Sequence, residues 1–191
     1  GADQAVRVVH GEADGLPGLV VDRYGEVLSL QLLTLGMEQR RELIVAALQE
    51  LFAPAAIVAR NDVAVRELEG LPQQVELLSG SLPEELVVAE HDLRFAVDVL
   101  GGQKTGHFLD QKENHLALRG RVEGGRVLDL FCYSGSWAIH AGHFGAREVL
   151  GVDISAGAVA QAERNARLNG LEGICRFTRA DVFDLLRDLS R

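Results

Sequence analysis

From Gln111 onward the chain alternates helical and apolar stretches in strict order, and this alternation limits the fold more than any other feature. Gln111 to Arg121 has helical character, Arg126 to Phe131 is a short apolar run, and Ser136 to Phe144 is helical again. Glu148 to Val152 is a second run, Ala156 to Asn169 a long helix, Ile174 to Arg179 a third run and Val182 to Leu189 helical. Strands alternating with helices build a parallel sheet with helices on both faces, a Rossmann-like α/β arrangement. Three strands are fewer than a complete sheet of this kind holds, so the chain is expected to end inside a fold. Ligands of such sheets bind outside the carboxyl ends of the strands.

Those ends carry a recurring residue type. Asp129 stands at the end of the first strand, Asp153 at the end of the second and Asp181 just past the third. After Asp129 the chain reads Leu130, Phe131, Cys132, Tyr133, Ser134, Gly135, Ser136, a small-residue turn into a helix that brings backbone N–H groups and a negative charge toward a ligand. Gly135 is the expected point of close backbone approach. Asp153 follows Asp129 by 24 positions, where a carboxylate can accept both hydroxyls of a ribose. Three acids on one edge of one sheet imply a nucleoside-bearing ligand. A dinucleotide loop wants the pattern Gly-x-Gly-x-x-Gly, and this turn has one glycine, with Cys132, Tyr133 and Ser134 crowding any pyrophosphate. A sulfonium ligand without phosphates tolerates those side chains and gains from the nearby acids. S-adenosylmethionine is therefore preferred over a nicotinamide cofactor.

The first hundred residues are built differently. Val6 to Val9, Leu19 to Val21 and Val27 to Leu33 read as short antiparallel strands, with turn signals at Asp14-Gly15 and Tyr24-Gly25. Glu38 to Phe52 has helical spacing, with Leu43, Ala47 and Leu51 as its apolar track and Arg40, Arg41 and Gln49 opposite; Pro54 ends it. Ala55 to Ala59, Val75 to Leu78 and Leu86 to Val88 read as further strands, and Asn61 to Leu68 as a short helix or turn. A small α+β domain over residues 1–100, followed by the α/β part over 101–191, is the expected organisation. Charge breaks at the same place: residues 1–100 hold 7 Lys+Arg against 17 Asp+Glu, and residues 101–191 hold 12 against 11.

Composition narrows the class further. The net charge of −9 argues against gripping nucleic acid by charge alone, which needs clustered Lys and Arg. No apolar run reaches the roughly 20 residues of a membrane helix, and the first residues lack the basic-then-apolar pattern of an export signal. A cytoplasmic location and no membrane partner are expected. Cys132 and Cys175 lie 43 positions apart without paired-cysteine or cysteine–histidine spacing, so no metal site is expected from them. The histidines His10, His91, His107, His115, His140 and His143 show no ligand-type spacing either; His140 and His143, three apart on a short helix, read as a partly exposed face, and Trp137 as a residue packing its helix on the sheet.

Three stretches of the second part, Gln103-Lys104-Thr105-Gly106-His107-Phe108-Leu109-Asp110-Gln111-Lys112-Glu113-Asn114, Asp129-Leu130-Phe131-Cys132-Tyr133-Ser134-Gly135 and Gly151-Val152-Asp153-Ile154-Ser155, closely resemble the large-subunit ribosomal RNA methyltransferases that make 5-methylcytosine. In the front part, Glu12 to Tyr24 and Arg60-Asn61-Asp62 with Arg66, Glu69, Gly70 and Leu71 resemble that family's central domain. The resemblance covers nearly the whole chain, with the motifs in the family's order. It implies a class I methyltransferase fold using S-adenosylmethionine and acting on ribosomal RNA.

By that resemblance, Gln103, Lys104, Thr105 and Gly106 form a loop closing over the methionine part of the cofactor. Asp129, Phe131, Tyr133 and Gly135 surround its amino-acid and sulfonium portion, Asp153 and Ser155 lie at the ribose, and Asp181 with the backbone of Val182 meets the adenine. Ser155 is also expected to cap the helix that follows. Taken singly, Asp129 or Asp153 reads equally as a helix cap and Lys104 as a solvated lysine.

Two departures from the family pattern bear on activity. The chain opens at the central domain without the family's small RNA-binding domain, and no proline follows Pro83, so the Asp-Pro-Pro-like loop is missing along with the later nucleophilic cysteine. No catalytic residue is therefore expected in this chain, and the catalytic residues of the enzyme are expected beyond Arg191. Cys132 and Cys175 read as packing residues. Left open are a guanine-nitrogen methyltransferase on the same scaffold and a non-catalytic module that binds S-adenosylmethionine. The front domain could position a basic RNA-binding domain or form a homodimer contact.

Overall fold

The computed structural model describes residues 4–189. The expected domain bounds at 1 and 191 fall on residues 1–3 and 190–191, which lie outside the described residues. Arg191, the position beyond which the catalytic residues are expected, is among them, so the structure of residues 4–189 does not bear on that expectation. Internal contacts divide the chain into two units, one running to His91 and including Val97–Leu109, the other comprising Asp92–Ala96 and the chain from Asp110 onward. Among the described residues no helix is long and apolar enough to cross a membrane.

The first unit is a five-stranded sheet in the order β1-β2-β3-β4-β5. β1 (Ala5–His10), β2 (Leu19–Tyr24) and β3 (Val27–Leu32) are antiparallel neighbours. Only two residues, Gly25 and Glu26, separate β2 from β3, so the hairpin is tight and Gly25 takes the left-handed φ of 59° that such a turn requires. α1 (Leu35–Glu38) and α2 (Arg41–Phe52) then carry the chain to β4 (Ala56–Asn61), which lies parallel to β3. A parallel step needs a crossover of this kind. α3 (Val65–Leu68) leads into β5 (Gln74–Gly80), antiparallel to β4, and β6 (Val87–Glu90) completes the unit's strands.

The crossover corrects the expected helix in two ways. It breaks at Gln39–Arg40 into two helices, the first capped by Thr34, whose hydroxyl accepts the Met37 N–H. It also packs on the other apolar track: Leu43 and Leu51 are 68% and 73% exposed, while Ile44, Val45, Leu48 and Phe52 lie on Val21, Leu28, Leu30, Ile57 and Ala59. Both tracks have fourfold spacing, and the one with the larger side chains fills the sheet face. Each fully buried leucine or isoleucine of that core contributes about 1.5–3 kcal/mol.

The second unit begins with β7 (Leu93–Ala96), a strand not expected from the sequence. Its backbone is bonded by side chains four apart on α6 (Ala156–Leu168) and at that helix's end: the Asn165 Oδ1 accepts the Ala96 N–H at 2.8 Å, Gln161 Nε2 donates to the Ala96 carbonyl, and the Asn169 amide pairs with both backbone groups of Arg94. This is why residues 92–96 belong with the second unit, ahead of the break read at residue 100. The expected helix from Gln111 to Arg121 is reduced to α4 (Lys112–His115) between short 3₁₀ turns, because Arg119 leaves the helical region (ψ 128°) and Gly120 turns left-handed (φ 70°).

Beyond it, β8 (Arg126–Leu130), β9 (Glu148–Asp153) and β10 (Cys175–Arg179) form a parallel sheet in the order β10-β9-β8, connected by α5 (Ser136–His143) and α6, with α7 (Val182–Leu189) following. The strand order advances in one direction, and right-handed crossovers then bring α5 and α6 to one face, where they pack on each other. The expectation of helices on both faces is corrected for these two; Leu128 on the opposite face stays exposed. The core between helices and sheet is made of small side chains, Ala138, Ala141, Ala166, Val149 and Cys175, which allow close approach. His140 is also corrected: it is fully buried, its Nδ1 held at 2.8 Å from the Ser136 carbonyl and its ring stacked on His115 at 4.3 Å, while His143 is exposed. Trp137 meets the His115 ring edge-on.

Candidate functional site

The carboxyl edge of the second unit's sheet gathers the expected acids. Asp129 lies one residue before the end of β8, in register with Gly151; Asp153 ends β9, in register with Arg179 of β10; Asp181 immediately precedes α7. Each carboxylate is engaged by local backbone. Asp129 Oδ2 accepts the Ala138 N–H at 3.1 Å in the first turn of α5. Asp153 accepts two, from Tyr133 at 2.9 Å and from Ser155 at 2.9 Å. Asp181 Oδ1 accepts the N–H groups of Phe183 and Asp184, capping α7. These caps leave acceptor capacity over, since an ionised carboxylate has about four acceptor positions.

The turn after β8 is held in an unusual shape. Phe131, Tyr133 and Gly135 take left-handed φ values of 61°, 48° and 78°. For the two aromatic residues this conformation is strained, and strain of this kind collects at ligand sites. The Cys132 N–H donates to the Val152 carbonyl at 2.9 Å, and the Gly135 N–H to the Cys132 carbonyl at 2.8 Å. With Tyr133 bound to Asp153, three of the turn's N–H groups are spent inside the protein rather than offered to a ligand. A side chain at Gly135 would come within 2.9 Å of the Phe177 ring and of Ala162, so glycine is required there by both space and φ. From below, Asn165 donates its Nδ2 to the Ser134 carbonyl at 3.0 Å, tying the turn to α6. Ser155 caps α6 as expected, its hydroxyl accepting the Ala158 N–H at 3.3 Å.

The electrostatics follow from burial. Asp129 is pushed up to about 6, first by loss of water and further by the charge of Asp153, with the Ala138 N–H opposing. Burial raises the Cys132 thiol to about 12 and the Cys175 thiol to about 11, with the Asp129 charge adding to both and that of Asp153 to Cys132. Neither cysteine is a ready nucleophile, because the thiolate is the attacking form.

Around these acids stand three exposed apolar side chains, two just past the ends of β8 and β9 and one in the first turn of α7. Phe131, Ile154 and Phe183 are 63%, 64% and 63% exposed, and the Phe131 and Phe183 rings meet edge-on at 6.2 Å. Val182 beside Phe183 is buried. Phe131 and Val182 are among the residues expected from the sequence, whereas Ile154, Phe183 and Asn165 are not. The signal for Ile154 and Phe183 was an apolar residue following or nearly following each strand-end acid; Asn165, in mid-helix, carried none.

The remaining expected residues, Gln103, Lys104, Thr105 and Gly106, belong to the first unit. There Lys104 has a left-handed φ of 53° and places its ammonium 4.2 Å from the Phe108 ring centre. Thr105 is buried, its hydroxyl bonded to Asp22 and Tyr24. Of the loop's four residues, Thr105 and Gly106 are buried in their own unit, whereas Gln103 and Lys104 are exposed.

Acids at three successive strand ends, a strained turn into a helix and exposed apolar side chains beside them define a class I methyltransferase fold of Rossmann-like type. A family model for S-adenosylmethionine-dependent methyltransferases matches residues 7–189, and the chain belongs to that family of enzymes, whose cofactor is S-adenosylmethionine. It is 45% identical over 183 residues to Ribosomal RNA large subunit methyltransferase I of Cronobacter sakazakii, a match covering 95% of this chain and 46% of that protein. The protein of the same name from Klebsiella pneumoniae is 46% identical, with the same coverage. The chain therefore spans about half the length of these curated relatives. Among solved structures, a methyltransferase complexed with SAH superposes with a TM-score of 0.86 at 25% identity, over 99% of this chain and 48% of its own.

Proposed function

We propose that this chain is the S-adenosylmethionine-binding part, with its preceding central domain, of an enzyme that methylates large-subunit ribosomal RNA at carbon 5 of a cytosine. The observation that carries the reading is the carboxyl edge of β8, β9 and β10, where Asp129, Asp153 and Asp181 stand among Phe131, Ile154 and Phe183. This mixture suits one ligand class: a cationic sulfonium is attracted by the carboxylates, ribose hydroxyls donate to Asp153, and an adenine ring lies against apolar side chains. When bound, the cofactor supplies an electrophilic methyl group. The chain's own residues bind and orient it: Asp129, Phe131, Tyr133 and Gly135 at the amino-acid end, Asp153 and Ser155 at the ribose, Asp181 and Val182 at the adenine, and Gln103 to Gly106 over the methionine. The ribosomal RNA target is supported by the names of the relatives, and the cytosine target by the motifs of residues 103–114, 129–135 and 151–155.

The base-attacking thiolate of the cytosine reaction is assigned to a part of the protein beyond Arg191, because Cys132 and Cys175 are both buried and both raised well above neutrality. Residues 1–100 are proposed as the central domain of that enzyme and 101–191 as the leading part of its methyltransferase domain. Two experiments test the reading. The 191-residue chain, given labelled S-adenosylmethionine and ribosomal RNA, is expected to transfer no label. The full-length protein is expected to produce 5-methylcytidine on nucleoside analysis; methylguanosine would move the assignment to a guanine-modifying enzyme.

A further inference from the structure

Four buried polar residues of the first unit's strands converge on one loop, residues 99–107. Asp22 and Tyr24 of β2 and Glu90 of β6 are completely buried, and Arg60 of β4 is 3% exposed. Asp22 takes a two-pronged ion pair from Arg7, its antiparallel neighbour on β1, at 2.8 and 2.9 Å, and also accepts the Thr105 hydroxyl. The Asp22 carboxylate can only accept, so the one Thr105 proton goes to it. With the Thr105 proton so placed, the Tyr24 hydroxyl, 2.9 Å from Thr105 Oγ1 and 3.4 Å from the His107 carbonyl, donates to Thr105 as the nearer acceptor, and its oxygen accepts the His107 N–H at 3.2 Å. The acceptor-only Asp22 carboxylate thus orders the hydrogen bonds from Thr105, and His107, Tyr24, Thr105 and Asp22 form one connected buried network. Burial and the adjacent Asp22 charge keep the Tyr24 phenol protonated.

The same loop is held at two further points. Glu90 Oε2 stands 3.2 Å from His107 Nε2. Arg60, paired with Asp62, donates to the carbonyls of Val99 at 3.3 Å and Gly102 at 2.6 Å. Gly106 completes the packing: its φ is 135°, and a side chain there would come within 2.8 Å of Val97 Cγ1. Burying charge costs free energy that apolar residues of similar volume would not incur. Charges placed in a sheet core whose bonds end on one loop indicate that the loop's shape is what they maintain.

We propose that Asp22, Tyr24, Arg60 and Glu90 are positioning residues that hold residues 99–107 in the shape with which Gln103 to Gly106 receives S-adenosylmethionine. The inference rests on the reading that this loop meets the cofactor. It gives these residues of the first unit a role in cofactor binding. The Tyr24 hydroxyl is the most selective point to test, since Tyr24→Phe keeps the ring and removes only the link to Thr105 and His107.

Affinity of the 191-residue chain for S-adenosylhomocysteine is measured by calorimetry, with hydrogen exchange followed at residues 103–107 and thermal unfolding recorded for each variant. Tyr24→Phe and Thr105→Val are each expected to weaken binding about three- to tenfold, as loss of a hydrogen bond does, and to speed exchange at 103–107. Thr105→Ser, which restores the hydroxyl, is expected to recover both. Leu48→Ala, destabilising the same unit away from the loop, is expected to lower the unfolding temperature and leave affinity unchanged. If Tyr24→Phe and Thr105→Val lower only the unfolding temperature, as Leu48→Ala does, the residues are structural and the inference is overturned. Gln103→Ala and Lys104→Ala separate the two levels. If they weaken binding while Tyr24→Phe does not, the positioning role alone falls; if neither they nor the unchanged chain show a loop-dependent affinity, the reading of the loop falls and the inference with it.

Discussion

The two units of this protein treat polar groups in opposite ways. In the first unit Asp22 and Arg60 of the five-stranded sheet, Arg66 of α3 and Glu90 of β6 are buried and bonded to protein partners. In the parallel sheet Asp153 and Asp181 stand at strand ends where backbone N–H groups use only part of their capacity, and Phe131, Ile154 and Phe183 are left largely uncovered. The first arrangement suits holding a shape, the second receiving a ligand. The contrast predicts that substitutions at buried charges in the first unit act mainly on stability, except where their bonds end on residues 99–107, and that substitutions at the strand ends of the second act mainly on affinity.

The largest effect is expected at Arg66, fully buried, which donates to the carbonyls of Leu32 and Pro72 and pairs with Glu38. Arg66→Ala leaves these groups without their cation and is expected to cost about 3–5 kcal/mol, measured by urea unfolding. A cost below about 1 kcal/mol would show that the first unit does not depend on its buried charge.

A smaller effect, and of unusual sign, is expected from Asp129. Its carboxyl is raised from 3.8 to about 6 in the folded protein, so between those values the folded state holds a proton that the unfolded state does not. Its contribution to stability therefore grows as pH falls through about 6 and levels off below about 4, opposite to a salt-bridged carboxylate. Asp129→Asn, which still accepts the Ala138 N–H, is expected to be more stable than the parent at pH 7 and to have lost this pH dependence. Parallel pH profiles for the two proteins would contradict the burial of that charge.

The smallest effects are those of Ile154→Ala and Phe183→Ala. Both side chains are mostly exposed, so unfolding free energies are expected to change by less than about 0.5 kcal/mol, while affinity for S-adenosylhomocysteine falls several-fold through loss of apolar contact. Unchanged affinity in both would remove the apolar rim from the site.

How much of this could be read from the chain depends on the range of the forces involved. Asp129, Asp153 and Asp181, the Ser155 cap and Gly135 were legible because each belongs to a strand end or helix start whose pattern is local. α2 shows where local pattern fails: Leu43–Ala47–Leu51 and Ile44–Leu48–Phe52 repeat equally well, and only the sheet decides between them. β7 is four residues long, and its partners include Gln161, Asn165 and Asn169, more than sixty residues away. His140 resembles its exposed neighbour His143 in sequence and differs in that the His115 ring covers it. The network from Asp22 to His107 spans more than eighty positions, and nothing near Tyr24 announces it.

The most direct test of a cofactor held at these strand ends is a calorimetric titration of S-adenosylhomocysteine into this chain, into Asp153→Ala and into Glu163→Ala, a substitution on α6 away from the strand-end acids. Asp153→Asn is added as a fourth protein, because the two Asp153 oxygens accept the Tyr133 and Ser155 N–H groups and asparagine keeps one of those two acceptors without the charge. One-to-one binding is predicted for the parent and for Glu163→Ala, with equal affinity. A loss of about ten- to a hundredfold is predicted for Asp153→Ala, and a clear but smaller loss for Asp153→Asn. Equal affinities in all four proteins would take Asp153 out of the site and contradict a cofactor held at the carboxyl edge of β9.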